Sequence, residues 1–144
     1  MTGFSISSQT PSEAEVLSLY ESVGWSAYTR DVPLLMTALI NSSFVATARS
    51  STQELLGLIR TVSDDATICY VQDILVRPAA QREGVGRALL NSVLDRYRDL
   101  RQIVLITDDE PEQRAFYESL GFVEGADVSG GPIRTFLSFR AAAV

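Results

Sequence analysis

The sequence predicts an α/β (α+β) domain: a mixed, mostly antiparallel sheet flanked by helices, with a strand-helix-strand unit at its centre. Three observations lead there. Helical periodicity in the first forty residues gives way, at Phe44, to three short apolar runs separated by turns. A glycine-bearing turn at Gly84-Val85-Gly86 then joins the third run to a second helical pattern. A short continuous apolar run from Ile103 to Thr107 follows, as a buried strand parallel to its predecessor should.

Taken in order, Phe4 to Ser8 alternates apolar and polar residues and reads as a first strand. Pro11-Ser12-Glu13 opens a helix with Val16, Leu19, Tyr20 and Val23 on one face, and Gly24 closes it. Trp25 to Arg30 reads as a loop. Asp31 is the expected N-cap of a second helix, with Pro33 in its first turn. Phe44 to Ala48, Leu55 to Val62 and Thr67 to Val76 read as strands of an antiparallel meander, turning at Ser50 to Gln53 and at Asp64-Asp65. Pro78 breaks the third strand. Gly84 to Tyr97 is helical, with Val85, Ala88, Leu89, Val93 and Tyr97 on one face. Pro111 starts another helix that ends at Leu120-Gly121. Phe122-Val123 and Ile133 to Phe139 are the last expected strands, joined by the glycine-rich stretch Gly125 to Pro132.

Composition narrows the function. A chain of 144 residues fits one domain, 1–144, able to bury a core without disulfide or metal staples. There is no His, which removes His-based acid/base and triad chemistry and the commonest metal ligand. The single Cys, Cys69, lies in an apolar run and reads as a buried, inert thiol; no metal is expected. The net charge of −6, with all basic residues arginines and scattered, gives no stripe to neutralise nucleic-acid phosphates. It suits a small cationic partner instead. Met1 to Thr10 has no signal-peptide pattern, and no apolar run is long enough to span a bilayer, so a cytoplasmic protein is expected.

The chemistry concentrates at Gln81-Arg82-Glu83-Gly84-Val85-Gly86. A loop between strand and helix can aim successive backbone N–H groups at one point, with the positive helix end behind them. Glycines let backbone approach a phosphate closely. On these residues alone, a phosphate clamp and a plain strand-to-helix turn stand level. A Walker loop is excluded because Arg87-Ala88 follows Gly86, and a dinucleotide fingerprint because no third Gly stands near Leu89.

The run Val71-Gln72-Asp73-Ile74-Leu75-Val76-Arg77-Pro78, followed by Gln81 to Leu90, resembles the acyl-CoA signature of the GNAT acetyltransferase superfamily. Ala115-Phe116-Tyr117-Glu118-Ser119-Leu120-Gly121-Phe122 is similar to that family's second motif. The resemblance implies that Arg82, Glu83, Gly84, Val85, Gly86 and Arg87 surround a CoA pyrophosphate. It implies that Ile74, Leu75 and Val76 pair by backbone with the pantetheine arm, as an added strand would. It places Phe116 and Tyr117 near the thioester. Many members carry Asn before the second-motif helix, whereas here Asp108-Asp109-Glu110-Pro111 stands there. Three acidic residues would favour a cationic acceptor.

The expected reaction is transfer of an acetyl group from acetyl-CoA to a primary amine by direct attack. A departing thiolate needs a proton, and a phenol, neutral at pH 7, can donate one. Tyr117 is the candidate, against the alternative of a core Tyr with a satisfied hydroxyl. For the base, Asp73 stands level with an ion-pair reading, and Tyr70 and Gln72, expected on the opposite pleat, offer water-mediated routes; the base is left open. Trp25 and Tyr28 are candidates for the acceptor pocket, against simple core packing. The acceptor is a small amine or a peptide amine, with no nucleic-acid or membrane partner, and a homodimer is left open. A non-catalytic acyl-CoA-binding sensor or regulatory domain is the rival function, and a module binding some other nucleotide's phosphates a second.

Overall fold

The structure, a computed structural model, describes residues 3–140. The chain forms two compact units, one running to Leu105 and the other starting at Ile106.

The first unit holds five strands and four helices. They are β1 (Phe4–Ser7), α1 (Glu13–Ser22), α2 (Ser26–Thr29), α3 (Val32–Asn41), β2 (Phe44–Ser50), β3 (Leu55–Ser63), β4 (Ile68–Val76), α4 (Val85–Arg96) and β5 (Gln102–Leu105). A single turn of 3₁₀ helix, Pro78–Ala80, precedes α4. The sheet order is β1-β2-β3-β4-β5, antiparallel until the last pair, where β5 runs parallel to β4. The expected mixed, mostly antiparallel sheet with a strand-helix-strand unit is therefore the one observed.

Local chemistry sets the helix ends. The Ser12 side chain accepts from the Glu15 amide while the Glu15 carboxylate accepts from the Ser12 amide, a reciprocal cap that starts α1. At its far end Gly24, at φ +76°, lets the Gly24 amide reach the Glu21 carbonyl and the Trp25 amide reach the Tyr20 carbonyl. That reversal folds the Trp25 indole edge-on against the Tyr20 ring, with centroids 5.9 Å apart. Asp31 caps α3 by accepting from the Leu34 amide at 3.1 Å. Trp25 to Arg30 differs from the expected loop: Ser26–Thr29 makes one helical turn. The Tyr28 and Thr29 amides donate to the Trp25 carbonyl, and the Tyr28 ring packs edge-on against Tyr20.

The α1 and α3 faces meet one side of the sheet. Val16, Leu19, Tyr20, Leu35, Leu39, Leu55, Leu58 and Leu75 form a continuous buried cluster there. Gly57 admits α4: a Cβ at that point of β3 would stand 3.0 Å from the Leu75 carbonyl oxygen and 3.1 Å from both Val85 and Leu89 side chains. Cys69 is buried, and burial pushes its thiol up, as expected of an inert core Cys.

The second unit contains α5 (Pro111–Ser119) and a 3₁₀ turn at Gly125–Asp127. Arg114 on α5 bridges Glu118, Glu124 and Asp127, tying that turn to the helix. The strands expected at Phe122-Val123 and Ile133 to Phe139 do not form among the described residues. Phe122 is used otherwise. With Gly121 at φ +91°, the Phe122 amide returns to the Tyr117 carbonyl and ends α5. Among the described residues, Ile133 to Phe139 has no regular secondary structure. Among the described residues, no helix is long and apolar enough to cross a membrane.

One consequence is pH-dependent. Hydrogen bonds from Arg49 and then from the Ser12 backbone hold the Glu15 carboxyl at about 2, against an ordinary value of 4.5. Its folded value lies below its unfolded one. Its contribution is therefore complete above about pH 4.5 and is lost as pH falls toward 2. In urea unfolding, wild type should exceed Glu15→Gln in stability at pH 6, with the gap closing between about pH 4.5 and 2.5. A gap that stays constant over that range would show that the Glu15 charge contributes nothing.

Candidate active site

β4 organises the first unit's candidate site. It pairs with β3 along nearly all its length, from Cys69 to Val76, but with β5 only from Ile68 to Val71. From Gln72 to Val76, the edge facing β5 has no strand partner among the described residues. Ile74, Leu75 and Val76, the residues expected to pair with a pantetheine arm, lie on that open edge. An extended amide-bearing ligand fits such an edge as an added strand would.

The strand leads directly into the glycine turn. Arg82 and Gly84 both take positive φ, +67° and +87°, and Gly84 is the N-cap of α4. The Ala88 amide is the first satisfied within the helix, by the Gly84 carbonyl at 3.0 Å. The Val85 and Gly86 amides precede it, in the first turn, where helix N–H groups have no intrahelical acceptor. A left-handed Gly at the cap keeps side-chain atoms away from the point these amides address. The residues present thus fit the pyrophosphate and pantetheine of CoA. Among the described residues there is no cluster of three or more His, Cys, Asp or Glu arranged to hold a metal.

On the side of the sheet covered by α1, a bulge alters β4. Arg60 pairs with Asp73 and Thr61 with Val71, leaving Gln72 as the extra residue. Gln72 was expected on the pleat opposite Asp73. The bulge instead brings both neighbours to one hydroxyl, that of Tyr28. Asp73 is 3% exposed and Arg60 7%. Asp73 Oδ2 accepts from Arg60 Nε at 2.5 Å and from Tyr20 Oη at 2.9 Å, and Oδ1 accepts from Tyr28 Oη at 2.8 Å. Both carboxylate oxygens are therefore engaged by side-chain donors. Burial first, and the Asp73 charge second, push both the Tyr20 and Tyr28 phenols up, so both stay protonated donors.

The network fixes proton directions. Tyr28 donates its only hydroxyl hydrogen to Asp73. Its oxygen then accepts from Gln72 Nε2 at 3.1 Å and from Arg60 Nη2 at 3.3 Å. The Gln72 amide must therefore present its NH₂ to Tyr28, which turns its carbonyl oxygen away from Tyr28 on an exposed residue. Trp25 and Tyr28 are partly buried against the core cluster, so each packs and each also retains exposed surface. Tyr70 is half-buried, and burial raises its phenol.

In the second unit, Tyr117 lies on α5 between two rings, Phe116 at 5.1 Å and Phe122 at 5.9 Å, both edge-on. Burial pushes its phenol above the ordinary value, with a smaller opposing effect from a hydrogen bond with Thr107. Asp108, Asp109 and Glu110 are all exposed just before α5.

Comparison with known proteins decides the family. The sequence model of the acetyltransferase (GNAT) domain matches residues 41–124. The chain belongs to the GNAT acetyltransferase family. A histone acetyltransferase of Glycine max is 32% identical over 120 residues, covering 75% of this chain and 50% of that protein. An uncharacterized N-acetyltransferase of Pyropia yezoensis is 27% identical over 116 residues, covering 78% and 66%. The chain thus spans between half and two thirds of the length of these relatives. Among solved structures, a GNAT-family acetyltransferase from Streptococcus pneumoniae TIGR4 is 28% identical with a TM-score of 0.77, covering 97% of this chain and 100% of that one. The ribosomal-protein-S18-alanine N-acetyltransferase of Escherichia coli, 23% identical over 85% of this chain and 79% of its own, shares the fold with a TM-score of 0.71.

Two residues of this GNAT domain escaped the sequence reading. Arg60 read as one more strand residue, and only the cross-strand register reveals it opposite Asp73. Gly57 read as an ordinary strand position; a Gly inside an apolar strand is the signal of close backbone approach that could have found it. Removing one member of a buried pair strands the other charge. Arg60→Met should cost about 3–5 kcal/mol in urea unfolding at neutral pH. A cost below about 1 kcal/mol, the range of an exposed pair, would mean that the Asp73 charge is not held by Arg60.

Proposed function

We propose that this GNAT domain transfers an acetyl group from acetyl-CoA to a primary amine. The observation that carries the reading is the open edge of β4 from Gln72 to Val76, which runs into the left-handed Gly84 cap of α4. The edge offers backbone donors and acceptors to the pantetheine amides. The turn offers the amides around Val85 and Gly86 to the pyrophosphate, with the α4 dipole behind them. Acetyl-CoA supplies a thioester activated toward an amine nucleophile.

The remaining work falls to side chains. A Lys-like amine has a reference pKa of about 10.4 and must lose a proton before it can attack. Gln72, with its amide direction set by Tyr28, offers a carbonyl oxygen to an amine N–H. Asp73 acts through that chain as a positioning residue: it accepts the Tyr28 hydroxyl's hydrogen bond, and the Tyr28 oxygen in turn orients Gln72. Water at this exposed rim is the proton acceptor. Trp25 and Tyr28 contribute apolar surface for the acceptor's carbon skeleton, and Asp108, Asp109 and Glu110 favour a cationic acceptor. Tyr117 donates the proton that the departing thiolate requires. Its raised phenol suits the role, because it stays protonated across the physiological range.

Two measurements test this. Free-thiol release from acetyl-CoA, followed across a panel of amines, should show acceptor-dependent turnover. A protein that binds CoA but gives no thiol release in response to any of the amines would be a sensor. Tyr117→Phe deletes only the hydroxyl, so CoA affinity should hold while kcat falls by about 10² to 10⁴. The alkaline limb of the wild-type pH profile should lie above the ordinary phenol value of 10, since burial raises Tyr117 and activity requires its protonated form. A Tyr117→Phe variant with wild-type kcat and an unchanged alkaline limb would make Tyr117 a packing residue.

A Gly84→Val variant tests the clamp separately. A Val there would have to adopt a backbone φ near +87°, and its branched side chain would stand beside the proposed pyrophosphate site. CoA affinity should fall more than tenfold, above about 1.4 kcal/mol, by calorimetry on the folded variant. Unchanged affinity would put the phosphates elsewhere.

A further inference from the structure

We infer that Val62, Tyr70 and Val104 form a floor on which the amine acceptor lays an apolar carbon skeleton, and that they select acceptors by the length of that skeleton. Granted the acetyl transfer proposed above, on which this rests, the acceptor is an amine with a hydrocarbon body rather than a small or polar one.

The floor is a product of strand register within the first unit. Val62 on β3 pairs with Tyr70 on β4, and Tyr70 pairs with Val104 on β5. Directly opposed residues share a face of a sheet, so these three make a row across three strands. Ile68, two residues before Tyr70, extends the row on the same face. That face is the one carrying Leu58 and Arg60, because Leu58, Arg60 and Val62 alternate along β3. The bulge is what brings Tyr70 onto it. Without Gln72 as the extra residue, Val71 would stand opposite Val62 and Tyr70 would turn to the α4 side.

The face changes character along β3. The buried cluster beneath α1 and α3 takes in Leu58 and Leu75 but not the row. Val62 is 51% exposed and Ile68 38%, while Tyr70 and Val104 are half-buried. A sheet face turned to water ordinarily carries polar side chains. This row carries no charged residue, and the adjoining Arg60 and Asp73 charges are paired with each other.

Its position along β4 identifies the occupant. The pantetheine arm is proposed to run along the edge from Val76 toward Gln72, which brings the thioester end to Gln72. From Ile68 to Val71 the same edge is already paired with β5. An amine held at the Gln72 carbonyl thus has the cofactor on one side along β4 and a closed ladder on the other. The face of the sheet is what remains for its skeleton. Tyr70 stands there two residues, roughly 7 Å, from Gln72. The Tyr28 hydroxyl, which receives the Gln72 amide, marks the near rim.

Initial rates of thiol release from acetyl-CoA with ethylamine, butylamine and hexylamine test this on the full chain. The three carry the same single charge and the same reacting group, so electrostatic steering is common to them. For wild type, kcat/KM should rise about two- to fourfold per added methylene, fourfold corresponding to full burial. The rise should lie mainly in KM, because the skeleton is bound alike before and during the transfer. Val62→Thr and Ile68→Thr keep the β-branch and the strand preference while placing a hydroxyl on the floor. Each should flatten the rise, lowering kcat/KM for hexylamine about twofold or more relative to ethylamine. Turnover of all three amines at equal kcat/KM would overturn the proposal while leaving acetyl transfer intact, and would mean that the chain itself covers the row. A rise that both variants leave unaltered would place the skeleton elsewhere. So would a loss shared equally by all three amines, which marks a structural fault. Thiol release with none of the amines in the wider panel would refute acetyl transfer itself, and the floor with it.

Discussion

The Arg60–Asp73 ion pair is the constraint on which the rest of the site depends. It sits across β3 and β4 at the point where the register slips, and it is almost wholly removed from water. A pair buried this deeply is not a large source of net stability, because desolvation consumes most of the Coulombic gain. What it does is specify geometry. With one Asp73 oxygen committed to Arg60 and Tyr20, the other accepts a hydrogen bond from the Tyr28 hydroxyl, and the Tyr28 oxygen then dictates which end of the Gln72 amide faces it. No buried side-chain nitrogen or oxygen is left without a partner among the described residues, as a fully satisfied polar network requires.

The same strand does two jobs because of where its partners stop. β3 follows β4 to Val76, whereas β5 leaves it after Val71. The result is an unpaired edge flanked by a secure one. Such an edge keeps a fixed conformation while its hydrogen-bonding groups remain available to an extended ligand. Immediately beyond, α4 is drawn close to β3 by the absence of a side chain at Gly57, which sets the position of its N-terminal amides. Edge and helix end are thus rigidly linked through one hairpin, the arrangement a long ligand with amides at one end and phosphates at the other would need.

Much of this was legible in the sequence where local chemistry governs. The helix start at Pro11-Ser12-Glu13, the Asp31 cap, the three-strand meander and the parallel β4–β5 pair follow from periodicity and turn residues. The left-handed Gly84 follows from its place between a strand and a helix. What was not legible is cross-strand. A bulge is a property of two strands together, and nothing in Val71-Gln72-Asp73 alone says that Gln72 and Asp73 will meet the same Tyr28 hydroxyl. Arg60 could not be read as the Asp73 partner without the register. The Trp25 to Arg30 stretch lacks glycine or proline breakers and folds as a helical turn because its two rings have Tyr20 to pack on. The segment from Ile133 to Phe139 has the composition of a strand, but a strand requires a paired neighbour, which composition alone does not supply.

Hydrogen exchange of the backbone amides, with and without CoA, addresses the proposed use of the β4 edge most directly. If the ligand lies along the edge and into the turn, slowing should concentrate between Gln72 and Val76 and around Gly84 to Arg87, and β3 should change little because its ladder is already complete. Tight CoA binding that left the amides of both stretches exchanging at their unliganded rates would contradict the assignment of the site to β4 and the start of α4.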